Sequence, residues 1–311
     1  MKKSIFADFC LLLVALVWGS TFVLVQNAID SLEPLSFNGV RFLVAAILLG
    51  FWLFLFERKQ LVHFNKKMLA SGVLMGFMLF LGYITQTMGL LYTTSSKAGF
   101  ITGLSVVLVP LFSFFLLKQR PGKNAIIGVL IATVGLFLLT MTDVASLTVG
   151  DGLVFICAIA FGLHIILTSK FSGSYPSLLL TVIQISTVAL FSIGSSFLFE
   201  DYKRTYDANI LLSQNVLLAL IVTSVFATAL AFFAQTSFQK YTSGTRVALI
   251  FAMEPVFAAI TGHVWAHEHL SASAMVGCAL IFFGMVFAEL SSDMFSFFSK
   301  TKQLAQQDNQ I

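Results

Sequence analysis

Glu254 stands inside an apolar stretch that runs from about 245 to 266, and Pro255 follows it directly. An ionised group at the centre of a bilayer costs about 2.5 to 3.5 kcal/mol on insertion scales. Glu254 lies about nine residues from the nearer end of its stretch, roughly 13 Å at 1.5 Å per residue, too far for a short side chain to reach the interface. It must therefore face protein or water. Pro255 removes a helical hydrogen bond and frees the carbonyl of Phe251, which adds a second polar group nearby. A carboxyl so placed can take up and release a proton as water comes and goes, or serve as a buried structural hydrogen-bonding group.

His164 is the other titratable side chain deep in an apolar run. It can exchange protons near neutral pH, and a hydrogen-bonded structural role is the competing reading. Gln86 and Gln235 are deep amides, with Tyr83 three residues before the first and Thr228 seven before the second. These spacings put each pair on one helix face. An amide facing lipid is penalised, so both faces are expected to look inward, toward a cavity or an interhelical hydrogen bond. Trp18 and Thr21 share a face of the first run near the bilayer midplane, too deep for an interfacial belt, and are expected to line a cavity. Arg41 lies only about five residues inside the second run, roughly 7 Å, a depth its long side chain spans to reach the interface. Snorkelling or a structural role is the expectation there.

Other signals point to no chemistry. Gly72 and Gly76 read as a close-packing contact. His267, Glu268 and His269 are neighbours in a short loop, a poor geometry for one metal ion. Gly122-Lys123-Asn124 lacks the upstream Gly and the Ser/Thr of a phosphate-binding loop. Cys10, Cys157 and Cys278 each sit alone in apolar sequence, with neither disulfide nor zinc spacing. No catalytic constellation, metal set or cofactor is expected.

These residues ride on a chain that is 58% hydrophobic and 10% charged over 311 residues, against roughly 25% charged in soluble domains. The mean hydropathy of +0.94 belongs to the whole chain rather than to one anchor. Helix-spanning apolar runs cover about 5 to 29, 36 to 56, 68 to 91, 98 to 117, 123 to 141, 151 to 170, 176 to 199, 215 to 239, 245 to 266 and 271 to 290. Each crosses about 30 Å of hydrocarbon. The first run follows Lys2 and Lys3 but is too long for a signal peptide and has no small-residue cleavage site, so it reads as a retained helix. Pro34 and Pro176 mark helix starts, where a missing N–H costs nothing.

Lys2, Lys3, Arg58, Lys59, Lys66, Lys67, Lys118, Arg120, Lys123, Lys170, Lys240, Lys300 and Lys302 fall on one side of this arrangement. The opposite loops carry Asp30, Glu33, Asp143 and Asp151, with Lys97, Lys203 and Arg204 as basic exceptions. The basic side is expected to be cytoplasmic, with both termini on it, in a cell (inner or plasma) membrane. Bases scattered between apolar runs fit membrane topology and not nucleic-acid binding. The lipid bilayer is the expected partner, and homo-oligomerisation is left open.

Sliding the chain over itself at one offset superposes Gln86 on Gln235, Thr87 on Thr236, Tyr92 on Tyr241, Thr93 on Thr242, Lys97 on Arg246, Gly128 on Gly277 and Gly135 on Gly284. Ala15 with Ala158 and Gly19 with Gly162 match at a slightly shorter offset. This is an internal repeat. Five helices per repeat is an odd number, so the second repeat enters from the opposite face. The fold class expected is an all-α integral membrane protein of about ten transmembrane helices as two inverted five-helix repeats, 5–141 and 151–290, followed by a cytoplasmic tail, 291–311. Such repeats expose a midplane site alternately to either side.

Trp18-Gly19-Ser20-Thr21-Phe22, Arg41-Phe42, Tyr92-Thr93, Ala98-Gly99-Phe100-Ile101, Pro110, Glu254-Pro255-Val256-Phe257 and Glu268, in that order and spacing, resemble the EamA-type branch of the drug/metabolite transporter superfamily over nearly the whole chain. The chain departs from that pattern after the fourth run, where a usual Glu is replaced by Lys118-Gln119-Arg120. The resemblance implies a central cavity lined by helices 1, 3, 4, 6, 8 and 9, and export of amino acids or related small metabolites. A secondary carrier working by alternating access is the reading that follows. A passive channel, or less readily an intramembrane enzyme, remains the alternative.

Overall fold

The computed structural model describes residues 2–29, 31–93, 95–140, 148–201, 207–265 and 269–289. His267, Glu268, the 291–311 tail and the loop charges Asp30, Asp143, Lys203, Arg204, Lys300 and Lys302 lie outside them. The described chain is helical apart from short connections, with no strand among its residues. Its helices are α1 (Lys2–Ile29), α2 (Pro34–Phe56), α3 (Lys66–Leu90), α4a (Ser95–Gly103) and α4b (Ser105–Leu117), α5 (Lys123–Thr140), α6 (Val149–Phe171), α7 (Ser177–Phe199), α8, α9a (Gly244–Phe251) and α9b (Glu254–Trp265), and α10 (Ala272–Glu289). In α8, two α-helical segments, Gln214–Val222 and Ala231–Phe238, flank a π-helical stretch at Thr223–Leu230. Among the described residues nine spans are long and apolar enough to cross a bilayer, and Ala272–Ala288 is a shorter apolar helix. The chain is a multi-pass membrane protein.

The helix starts follow local chemistry. Pro34 opens α2 and Pro176 caps α7, as their missing or unneeded N–H groups allow. The Glu200 carboxylate, at the far end of α7, accepts from the backbone N–H groups of Leu35 (2.6 Å) and Ser36 (2.8 Å) and from the Ser36 hydroxyl (2.5 Å). A carboxylate on a helix N-terminus also meets the positive end of its dipole. Glu33 returns the link by accepting from the Asp201 N–H at 2.9 Å. Thr148 and Asp151 form a reciprocal capping box on α6, and Thr93, from the turn after α3, donates to Asp151.

Backbone contact holds the two repeats together where α5 meets α10. A Cβ on Gly128 would lie 2.5 Å from the Gly284 carbonyl oxygen, and one on Gly135 would lie 2.7 Å from that of Gly277. The first residue of each repeat's glycine pair thus faces the second of the other's, as antiparallel helices related by a two-fold axis must. Helices α2, α3, α7 and α8 form a second packed unit around Phe42, Met75, Leu180, Ile185 and Phe232.

The two ends of the bundle are packed differently. On the basic face, α4b, α6 and α9a join α1, α5 and α10 in one core that includes Leu11, Val109, Ile166, Leu249 and Ile281. On the opposite face the buried residues split into a cluster on α1, α2 and α8 (Ala28, Phe37, Leu220) and a separate one on α4a and α6 (Ala98, Ile101, Val154). There α4a and α9b share at most marginal contact among the described residues, whereas α4b and α9a pack together.

Candidate functional site

The ninth span turns at Ala252–Met253, and Glu254 opens its second segment. Pro255 cannot donate a backbone hydrogen bond, so the break falls immediately before it. Gly19 lets α1 reach this turn: a Cβ there would lie 2.5 Å from the Glu254 carbonyl and 2.7 Å from Phe257 Cβ. The Glu254 carboxylate has no hydrogen-bond partner among the described residues. It lies deep in the bundle yet keeps part of its surface accessible, and so does Tyr83. Both therefore border an internal space. Arg41, Tyr83 and Cys157 lie within electrostatic reach of Glu254.

Aromatic rings frame that space. Trp18 packs against Phe232 and Phe251, with ring centroids 5.3 and 5.0 Å away, and its indole N–H donates to the Ala227 carbonyl at 2.8 Å. Tyr83 stands edge-on to Phe42 (5.2 Å) and Phe161 (5.4 Å).

Arg41 takes the structural of its two expected courses. It does not snorkel; it is 5% exposed and points inward. Its Nε donates to the Thr228 hydroxyl at 2.6 Å and its Nη2 to the Ala227 carbonyl at 3.2 Å. The guanidinium carbon lies 5.4 and 5.7 Å from the Phe42 and Tyr83 ring centres, an arrangement of the cation–π kind. Ala227, which accepts from both Trp18 and Arg41, lies in the π-helical stretch of α8, and such stretches gather at functional sites.

Of the residues singled out by the sequence, Trp18, Tyr83 and Glu254 come together around this space, and Thr228, fully buried, stands behind it on Arg41. Gln86 lies toward the opposite face, where its amide donates to Thr102 at 3.2 Å, with Cys157 3.9 Å beyond. Thr21 turns its hydroxyl onto the carbonyls of Val17 and Trp18 in its own helix. His164 is 3% exposed and pairs with Gln184 at 3.0 Å, and Gln184 donates onward to Thr236 at 2.9 Å. Gln235 is buried and donates to Gln239 at 3.2 Å. Gln239 in turn donates to the Ile165 carbonyl (2.6 Å) and the Ser169 hydroxyl (2.8 Å), tying the basic-face end of α8 to α6. The rule that singled out Gln86 and Gln235, an amide inside an apolar run, applies equally to Gln184 and Gln239. The Thr102–Cys157 contact carries no sequence signal.

Two five-helix repeats of membrane-crossing length define a multi-pass helical membrane protein of the transporter kind. The EamA-like transporter family pattern matches residues 5–141 and 148–290. This chain belongs to the EamA-like transporter family. It is 35% identical to an uncharacterized transporter of Archaeoglobus fulgidus across 93% of this chain and 87% of that protein. It is 24% identical to the uncharacterized transporter YoaV of Bacillus subtilis, across 88% of this chain and 92% of that one. A solved crystal structure superposes with a TM-score of 0.76 at 18% identity, covering 91% of this chain and 96% of the other, a likeness of fold.

Proposed function

We propose that this protein is a secondary active carrier that exports small polar metabolites, such as amino acids, across the cell membrane by alternating access. The supporting observation is the asymmetry of closure around the internal space. The segments α4b and α9a pack together on the basic face, while α4a and α9b stay apart on the other. In an inverted repeat, α4 and α9 are equivalent helices. Exchanging the conformations of the two halves would close the open end and open the closed one. The basic face is the cytoplasmic one by the distribution of Lys and Arg, which puts both termini inside. The state described here is then outward-open, with 5–141 and 151–290 as the moving halves and 291–311 as an inner tail.

Trp18, Thr21, Tyr83, Gln86, His164, Thr228, Gln235 and Glu254 form or support the pathway, with Glu254 as the group that couples proton to solute. Reconstituted protein is expected to show saturable flux and counterflow, the stimulation of labelled-solute movement by unlabelled solute on the far side. Flux linear in concentration with no counterflow would point to a channel instead.

A further inference from the structure

Arg41 is a buried cation whose direct partners are all neutral. The Thr228 hydroxyl, the Ala227 carbonyl, the Tyr83 hydroxyl and the rings of Phe42 and Tyr83 surround it, and no carboxylate closes on it as an ion pair among the described residues. Glu254 is near enough to feel its charge, yet it makes neither hydrogen bond nor ion pair with it. Leaving a guanidinium buried against neutral acceptors is costly, because desolvation is not offset by a contacting anion. A guanidinium is also the side chain best shaped to hold two oxygens of an anion at once. It stands beside Tyr83, which borders the internal space, and its acceptors Thr228 and Ala227 belong to one π-helical turn.

We infer that Arg41 is the receptor for an oxyanion group of the transported solute, a carboxylate, sulfonate or phosphate. The Thr228 hydroxyl and Ala227 carbonyl hold the guanidinium in waiting until that anion displaces them. The inference rests on the carrier reading above and deepens it. It names the charge class of the cargo and gives the π-helical stretch of α8 a part in sensing it. When Arg41 leaves Ala227, the carbonyl keeps its bond from Trp18, so occupancy of the site is reported directly to α8 and α1.

The test uses full-length protein in liposomes loaded with a carbon-13-labelled extract of small cellular metabolites, with efflux followed by mass spectrometry. The solutes whose efflux depends on the wild-type protein are expected to carry an anionic oxygen group. Arg41→Lys keeps the charge but loses the fork, and is expected to cut their efflux about tenfold. Thr228→Val removes the competing acceptor and is expected to lower the half-saturating concentration of the same solutes two- to threefold. A merely structural Arg41–Thr228 bond predicts an unchanged or raised value in that variant, so the test holds even if Arg41→Lys fails to fold. Wild-type efflux of solutes lacking an anionic group, or full efflux through folded Arg41→Lys, would overturn the inference while leaving the carrier intact. No protein-dependent efflux of any solute would overturn the carrier reading itself, and the inference with it.

Discussion

Gly135 and Gly277 meet backbone to backbone: a Cβ added to Gly277 would stand 2.5 Å from the Gly135 carbonyl oxygen, and one added to Gly135 would stand 2.7 Å from that of Gly277. Helices approach this closely in a bilayer only where side chains are missing, since lipid supplies no hydrophobic drive and packing must hold them together. The contact is symmetric because the repeats are. It fixes the last helices of the two halves to each other.

Gly277→Val is expected to lower the melting temperature of the detergent-solubilised protein by several degrees. The added atoms meet the backbone of Gly135 and Leu139, which cannot step aside as a flexible side chain would. Overpacking of this kind costs about 1 to 3 kcal/mol. Gly50→Ala serves as the control, since nothing lies within 4 Å of a Cβ there. Equal melting temperatures in the two variants would refute the packing argument.

Trp18→Phe is expected to change which solutes are carried more than how much folded protein accumulates. The ring contacts with Phe232 and Phe251 are largely kept, while the bond to Ala227 is lost, a cost of about 1 kcal/mol. Trp18→Ala would be less informative, because emptying so large a buried volume costs about 3 to 5 kcal/mol. Competition by a metabolite panel against one labelled solute reads the difference. An unchanged inhibition profile with less folded protein would assign Trp18 to the core.

The spans, their starts and the two-fold repeat were legible because bilayer thickness, proline and glycine each leave a mark on the sequence. The break before Glu254 was legible through Pro255. In the fourth helix the visible signal, Pro110, lies inside a continuous segment, and the turn falls earlier, at Leu104. Arg41 was left between snorkelling and a structural role because depth along a helix does not say which way the helix faces. Counting residues from its end allowed snorkelling, and only the position of α8 shows that Thr228 and Ala227 take the guanidinium instead. The π-helical stretch in which Thr228 and Ala227 lie has no residue signature, since Thr223–Leu230 reads as an ordinary apolar helix.

Gln239→Leu is expected to favour opening at the basic face. Its amide makes two hydrogen bonds from α8 to α6, and bonds of this kind are worth about 1 kcal/mol each. A reporter cysteine at Val109, which is fully buried in the basic-face core, gives the readout. Maleimide labelling of Val109→Cys should be at least about fivefold faster in the Gln239→Leu background. Unchanged labelling would mean that α6 and α8 move together and that closure rests on the apolar contacts alone.

Glu254→Gln separates coupling from structure. The carboxylate has no hydrogen-bond partner among the described residues, so replacing it by an amide breaks no contact that holds the fold. The variant is expected to melt within a few degrees of the wild type. Glu254 also borders the internal space and lies within reach of the Arg41 charge, where a change in its protonation alters what the site can hold. An amide keeps the size and shape but cannot exchange a proton. Liposomes containing Glu254→Gln should therefore retain counterflow, which needs only the reorientation of the loaded carrier, and lose accumulation driven by an imposed pH gradient. If Glu254→Gln still concentrates solute under that gradient, the coupling role passes to His164 or to a driving force other than protons.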